Sequence, residues 1–175
     1  FSLYIFGIWF YSHKLKKLPF IGNLTSAILT ITPFFAVFLY YKNFEAVIFV
    51  HAIFLFLVVS MRELTKDLEN IKGDIAQSYV TIPVAYGERV SKIMLTILTV
   101  LTLIPSYLLL FRFEVGHMNI FFYLSILLLA IFMLLLWNSK KKIHYLILHN
   151  ILKFIILAGV FSILLIDVNV ILNRF

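Results

Sequence analysis

Apolar residues in this chain run in unbroken blocks, and the polar ones gather into short intervals between them. Six blocks stand out, at Phe1–Phe10, Thr25–Tyr41, Ala46–Ser60, Ile93–Phe111, Asn119–Trp137 and Leu146–Leu165. A half-buried strand would alternate, and a barrel strand would read as polar–apolar pairs over about ten residues. These blocks do neither, and most approach the ~20 residues that carry a helix across a ~30 Å hydrocarbon core. The pattern predicts an all-α, polytopic transmembrane helix bundle of five full spans, with Phe1–Phe10 as the tail of a span truncated on its N-terminal side. Pro33 and Pro105 fall inside spans and are expected to kink them, neighbouring helices re-satisfying the freed carbonyls. No internal repeat or low-complexity tract interrupts the pattern, so residues 1–175 are expected to form a single domain. The chain starts inside an apolar block, at Phe rather than Met and without a charged leader, which predicts a piece of a longer protein.

Composition narrows the class. With 63% hydrophobic and 13% charged residues and a mean hydropathy of +1.05, the chain lacks the polar surface of a water-soluble domain. The absence of cysteine excludes disulfides and thiolate chemistry. A net charge of +7 does not imply nucleic acid, because Lys and Arg in a polytopic protein mark cytoplasmic loops. The intervals after the first, third and fifth blocks hold eleven of the fifteen bases: Lys14, Lys16 and Lys17, then Arg62, Lys66, Lys72, Arg89 and Lys92, then Lys140 to Lys142. The other intervals hold Lys42, Arg112 and Arg174, and Lys153 lies inside the last block. The bias predicts cytoplasmic loops at about residues 11–23 and 61–92, which open on one membrane face and can share a site. The second is long for a compact bundle, and long ordered loops are often functional.

Four of the eight acidic side chains lie in MRELTKDLENIKGDIAQSY, residues 61–79. Glu63, Asp67, Asn70 and Asp74 are spaced by four, three and four residues. At ~100° per residue this puts them on one helical stripe about 60° wide, with Arg62 and Lys66 on an adjoining face. A solvated helix usually interlaces opposite charges at i,i+4, whereas here Glu63 stands four before Asp67 and Arg62 four before Lys66. Segregated signs suit a bound cation beside its anionic partner. Carboxylate and amide oxygens, with no His or Cys among them, suit a hard ion such as Mg²⁺, which keeps waters and shares substrate phosphates. Gly73 is expected to end or bend the helix just before Asp74. The spacing is equally compatible with an amphipathic helix lying on the membrane, its charges solvated. An EF-hand calcium loop is excluded, because its D-x-[DN]-x-[DN]-G order is absent.

The basic counterpart is the first loop, YSHKLKKLPFIGN. Tyr11, Lys14, Lys16 and Lys17 can meet phosphate oxygens, with Asn23 adding an amide at the mouth of the next helix. Arg62 across the site can clamp phosphate with two hydrogen bonds, with Lys66 beside it. Lysines at a cytoplasmic helix end are also what the positive-inside rule delivers, and only the face shared with the acidic segment favours binding. Lys140–Lys142 has no such companion and reads as a topology signal. His149, Asn150 and Lys153 read as residues at a helix end where Lys can snorkel, not as catalysts. His51 and Asp167 lie within the membrane without an evident partner, and no Ser–His–Asp set, P-loop or GxGxxG is present.

YSHKLKKLPFIGN, then RELTKDLENIKGD, then YVTIPVAYG, in that order, resemble the UbiA superfamily of intramembrane prenyltransferases. That family carries a Y-x-x-x-K-type motif, a second acidic D-x-x-x-D motif, and a Thr-Leu-Pro-like segment followed by Gly. The resemblance spans the whole chain as the C-terminal two thirds, helices four to nine, of a nine-helix enzyme. The RE-x-x-KD-x-E-x-x-x-GD form is most similar to the digeranylgeranylglyceryl-phosphate synthase branch. The resemblance implies Mg²⁺-dependent transfer of an isoprenyl group from a prenyl diphosphate to a hydrophobic acceptor, among membrane lipids of a bacterial or archaeal cell. Asp67, Asn70 and Asp74 would hold the metal, with Asp67 and Asp74 catalytic; Tyr11, Lys16, Asn23, Arg62 and Lys66 would surround the diphosphate. The implied transfer is of geranylgeranyl to a geranylgeranylglyceryl phosphate-like lipid. An aromatic quinone precursor of the 4-hydroxybenzoate or naphthoate type is the alternative acceptor.

Two departures from the family pattern matter. Its first acidic motif, N-x-x-D-x-x-x-D, is absent from this chain. Half the expected metal ligands would then come from the ~100 residues that three further spans require, and the chain as it stands is expected to be inactive. The first Asp of D-x-x-x-D falls on Asn70, leaving Asp74 intact and Asp67, one turn earlier, to supply the lost charge. Among rivals, a transporter would place its ionisable groups in mid-span. A CDP-alcohol phosphotransferase would carry a D-G-x-x-A-R string, which is absent. A non-catalytic membrane assembly subunit stays open as an alternative, for which Lys-to-Ala changes in the first loop would leave any diphosphate binding untouched.

Overall fold

Each apolar block becomes a helix in the structure, a computed structural model that describes residues 2–40, 42, 44–113 and 115–162. The helices are α1 (Ser2–His13), α2 (Ile21–Tyr40), α3 (Ala46–Glu69), α4 (Ile71–Ala76), α5 (Ile82–Phe111), α6 (Asn119–Asn138) and α7 (Lys142–Ser162), with 3-10 turns at Leu15–Lys17 and Gly116–Met118. No strand occurs among the described residues. The expected polytopic helix bundle is therefore present. Four elements are long and apolar enough to cross a membrane: α3, α5, α6 with its preceding turn, and α7. Helix α2, twenty residues long, carries the apolar stretch Ile21–Val37 beside them. The last predicted span runs beyond the described residues, and Asp167 and Arg174 lie outside them.

Helix α3 is the hub, packing against α2, α5 and α7. Its buried Phe54, Leu57, Val58, Met61, Leu64 and Leu68 recur at three- and four-residue steps, the period that keeps one face turned inward. Hydroxyls of Thr99 and Thr102 on α5 reach the Met61 sulfur at 3.9 and 3.7 Å. Each also donates to the carbonyl four residues earlier, so small, internally satisfied residues let the helices approach closely. Phe122 is fully buried, its ring 5.5 Å from Phe54 and 5.0 Å from Phe121, both steeply inclined. Helix α6 is apolar on every side: Phe122, Leu129, Phe132 and Leu136 pack inward, while Leu127 and Leu134 stay exposed, as a lipid-facing surface requires.

Polar ties collect at one end of the bundle. Lys92, buried on α5, reaches the Ser139 carbonyl at 2.5 Å and Glu88 at 2.9 Å, and the Tyr145 hydroxyl donates to Glu88. Three helix ends are thereby joined. His149 lies 3.0 Å from Glu69 and is buried, so it ties α7 to α3 and does not snorkel; Asn150 and Lys153 are exposed. His51 has its partner in the Val47 carbonyl, at 3.0 Å.

The interval Met61–Lys92 is not the loop that its polarity suggested. Helix α3 continues to Glu69 because Met61, Leu64 and Leu68 maintain its buried face. Helix α5 starts at Ile82, with Pro83 in its first turn, where a missing N–H is harmless. Only Asn70 and the strap 77–81 remain outside helices. The break falls at Asn70 (φ −113°, ψ 22°), and Gly73 sits inside α4. The non-helical residue within α5 is Gly87, not Pro105; its φ of 83° and ψ of 170° favour a residue without a Cβ. Replacing Phe122 by Ala removes the most deeply buried ring in the aromatic cluster. It is expected to destabilise the bundle by roughly 3 kcal/mol or more, measured by denaturant unfolding in micelles.

Candidate functional site

The acidic stripe survives the break in its helix. Glu63, Lys66 and Asp67 leave the last turns of α3, Asn70 occupies the break, and Asp74 leaves α4, yet all five line one cavity of about 190 Å³. Across it stand Tyr11 from the end of α1, Lys16 from the 3-10 turn, and Asn23 in the first turn of α2. Gly22 packs tightly beside them. A Cβ there would come within 3.1 Å of the Leu15 carbonyl oxygen, so α2 can begin hard against the turn that carries Lys16. The remaining wall comes from the strap: Gln77, Tyr79 and Thr81.

Asp74 is buried and held at both oxygens. Asn70 Nδ2 donates to Oδ1 at 3.2 Å and the Thr81 hydroxyl to Oδ2 at 3.1 Å. A Cβ on Gly73 would lie 2.6 Å from both terminal atoms of the Asn70 amide, so the glycine is what lets that side chain fold back over α4. Glu63 is buried between cations, 2.6 Å from Arg62 and 3.3 Å from Lys66. Asp67 differs. Its Oδ2 is buried with no hydrogen-bond partner, and Asn23 Nδ2, close enough to act on it electrostatically, forms no hydrogen bond of ordinary geometry. Asp74 and Glu63 place like charge around it, with Lys66 opposing them. A buried carboxylate so situated is costly until a cation arrives.

Among the described residues no three His, Cys, Asp or Glu side chains converge on one point as a metal cage. Asp67, Asp74 and the Asn70 amide at the cavity instead fit an ion that retains waters and shares phosphate oxygens, as Mg²⁺ does. The unpaired Asp67 oxygen is a ready ligand position. Of the expected residues, Tyr11, Lys16, Asn23, Lys66, Asp67, Asn70 and Asp74 come together, whereas Arg62 does not line the cavity, its guanidinium being engaged by Glu63. Lys14 and Lys17 do not line it either; Lys14 lies 5.9 Å from the Phe10 ring, and the Lys17 carbonyl accepts a hydrogen bond from Val80 N–H at 3.3 Å. Tyr79, whose ring lies 4.9 Å beneath the Lys16 ammonium, and Thr81 were missed as individual site residues, although YVTIPVAYG contains both.

The UbiA prenyltransferase family model matches residues 1–145. The chain belongs to that family. Relatives in Methanosphaera stadtmanae, Pyrococcus abyssi and Methanobrevibacter smithii are each called digeranylgeranylglyceryl phosphate synthase. The first is 34% identical over 137 residues, covering 77% of this chain and 50% of the relative. The second is 39% identical over 110 residues, covering 62% and 39%. The third is 36% identical over 91 residues, covering 50% and 31%. The chain therefore spans half the length, or less, of these curated relatives. A solved structure concerned with digeranylgeranylglyceryl phosphate synthase in membranes superposes with a TM-score of 0.79 at 24% identity, over 92% of this chain and 57% of that one, which establishes a shared fold.

Gly73 gives the site its simplest geometric test. Gly73→Ala is expected to expel the Asn70 amide and break its bond to Asp74, visible in an experimental structure of the variant. Overall stability should change little, since Ala gains ~1 kcal/mol over Gly within a helix.

Proposed function

We propose that the protein containing this chain transfers an isoprenyl group from a prenyl diphosphate to a glyceryl phosphate lipid within the membrane, using Mg²⁺ held by Asp67, Asn70 and Asp74. The observation that carries the proposal is the buried, unpaired oxygen of Asp67 in an oxygen-rich cavity faced by lysines, in a UbiA-family chain. The names of the relatives support geranylgeranyl as the group moved and a geranylgeranylglyceryl phosphate as its acceptor. The charge bias of the intervals supports a cytoplasmic face for the site.

The chemistry such an ion supplies is neutralisation of the diphosphate as it departs. The chain's own residues do the rest. Lys16 and Lys66 present ammonium groups to the cavity, where each would meet diphosphate oxygens with charge-assisted hydrogen bonds. Tyr11 and Asn23 would add neutral donors from the same wall. Arg62 would act indirectly, by keeping Glu63 neutralised beside Asp67. The carbon–oxygen bond of the donor breaks with its electron pair leaving on diphosphate. The acceptor hydroxyl then bonds to the allylic carbon and releases its proton. Enclosure by the bundle shields that electron-poor carbon from water.

Two measurements test this in the full-length protein reconstituted in vesicles. With geranylgeranyl diphosphate and geranylgeranylglyceryl phosphate, Asp74→Asn is expected to lower Mg²⁺-dependent product formation by on the order of a hundredfold or more, read by mass spectrometry of extracted lipid. An unchanged rate would sink the metal assignment, and product with 4-hydroxybenzoate alone would move the acceptor to the aromatic class. Lys16→Ala is expected to raise KM for the prenyl diphosphate about tenfold while leaving the Mg²⁺ requirement intact.

A further inference from the structure

Thr81 occupies the N-cap position of α5, with extended φ −74° and ψ 166°. At such a position the hydroxyl ordinarily accepts a hydrogen bond from an N–H of the first turn. Here it accepts none, and Pro83 in that turn has no N–H to give. The hydroxyl is spent on Asp74 instead, donating to Oδ2 at 3.1 Å from a buried side chain. Asn70 holds the other oxygen at 3.2 Å. With one donor on each oxygen, the carboxylate cannot turn without breaking a bond. The strap that ends at Thr81 is closed on both sides. Tyr79 N–H donates to the Asp74 carbonyl at 2.9 Å, Val80 N–H donates to the Lys17 carbonyl at 3.3 Å, and the Tyr79 ring supports Lys16.

We propose that Thr81 is a positioning residue: it sets the orientation in which Asp74 meets a divalent cation, and its strap carries Lys16 to the same cavity. The inference rests on the Mg²⁺ site proposed above. Because no capping bond is lost, Thr81→Val is expected to spare α5 while freeing the carboxylate.

The test uses the full-length protein in micelles, with Mn²⁺ as a spectroscopically visible substitute and an unreactive prenyl thiodiphosphate as the anionic partner. Mn²⁺ affinity is read by electron paramagnetic resonance for wild type, Thr81→Val and Thr81→Ser, alongside thermal unfolding. Thr81→Val is expected to weaken Mn²⁺ binding by about 10- to 100-fold and, by leaving an Asp74 oxygen unpaired, to lower the unfolding midpoint somewhat, with Thr81→Ser close to wild type in both. Should Thr81→Val fail to fold, Thr81→Ala takes its place with the same expected ranking below Thr81→Ser. Equal Mn²⁺ affinity in wild type and the hydroxyl-free variant, or no recovery with Ser, overturns the positioning role alone. If wild type itself does not bind Mn²⁺, the metal site falls and the inference falls with it.

Discussion

A carboxylate buried in the short helix that follows a membrane-length one has to be met by donors or cations, and the arrangement around Asp74 answers that requirement. Its two oxygens take hydrogen bonds from Asn70 and Thr81, residues on either side of it in sequence. Each bond constrains the chain. Asn70 can fold back only because helix α3 stops there and because Gly73 leaves room. Thr81 can donate only because α5 begins beside it, behind a proline that asks for no cap. The helix break, the short α4 and the start of α5 are therefore consequences of satisfying one buried group.

Much of this was legible in the sequence, for identifiable reasons. Unbroken apolar blocks read directly as helices, since lipid leaves the backbone few alternatives. The acidic stripe was legible because the 4–3–4 spacing brings Glu63, Asp67, Asn70 and Asp74 to one side, and the break at Asn70 did not rotate Asp74 away. The extent of the helices was hidden. Polar residues after Ser60 looked like a loop, yet Met61, Leu64 and Leu68 carry the buried face of α3 onward past the apolar block. Arg62 also misled: spacing puts it near the stripe, but Glu63, its immediate neighbour, takes the guanidinium at 2.6 Å. Spacing along a helix says which side chains share a face and not which partner each will choose. Tyr79 and Thr81 were out of reach of any periodicity, because the strap has none.

The basic side of the cavity depends on a separate device. Lys16 sits on a 3-10 turn between α1 and α2, and nothing in its own side chain fixes its distance from Asp74. Backbone does. Gly22 lets α2 start against that turn, and the Val80–Lys17 hydrogen bond joins the turn to the strap. Opposite charges are thus brought to one cavity by groups that carry none, so the spacing between acid and base is held before any ligand enters.

That preorganisation needs helix ends that do not slide. Apolar contacts between helices discriminate poorly among axial positions when lipid tails offer an equally apolar surface. Directional polar contacts discriminate well, and the strongest in this bundle stand on the side of the cavity. Glu69, which meets His149, immediately precedes Asn70; Glu88 and Lys92, which meet Tyr145 and Ser139, follow Thr81 by about two to three helical turns. These ties fix α7 against α3 and the end of α6 against α5 at the level where the cavity walls are set. The opposite half of the bundle is held chiefly by close packing, with Phe54, Phe121 and Phe122 at its centre. Small axial adjustments there would cost little. The division gives the site a rigid floor and leaves the apolar half freer to adjust.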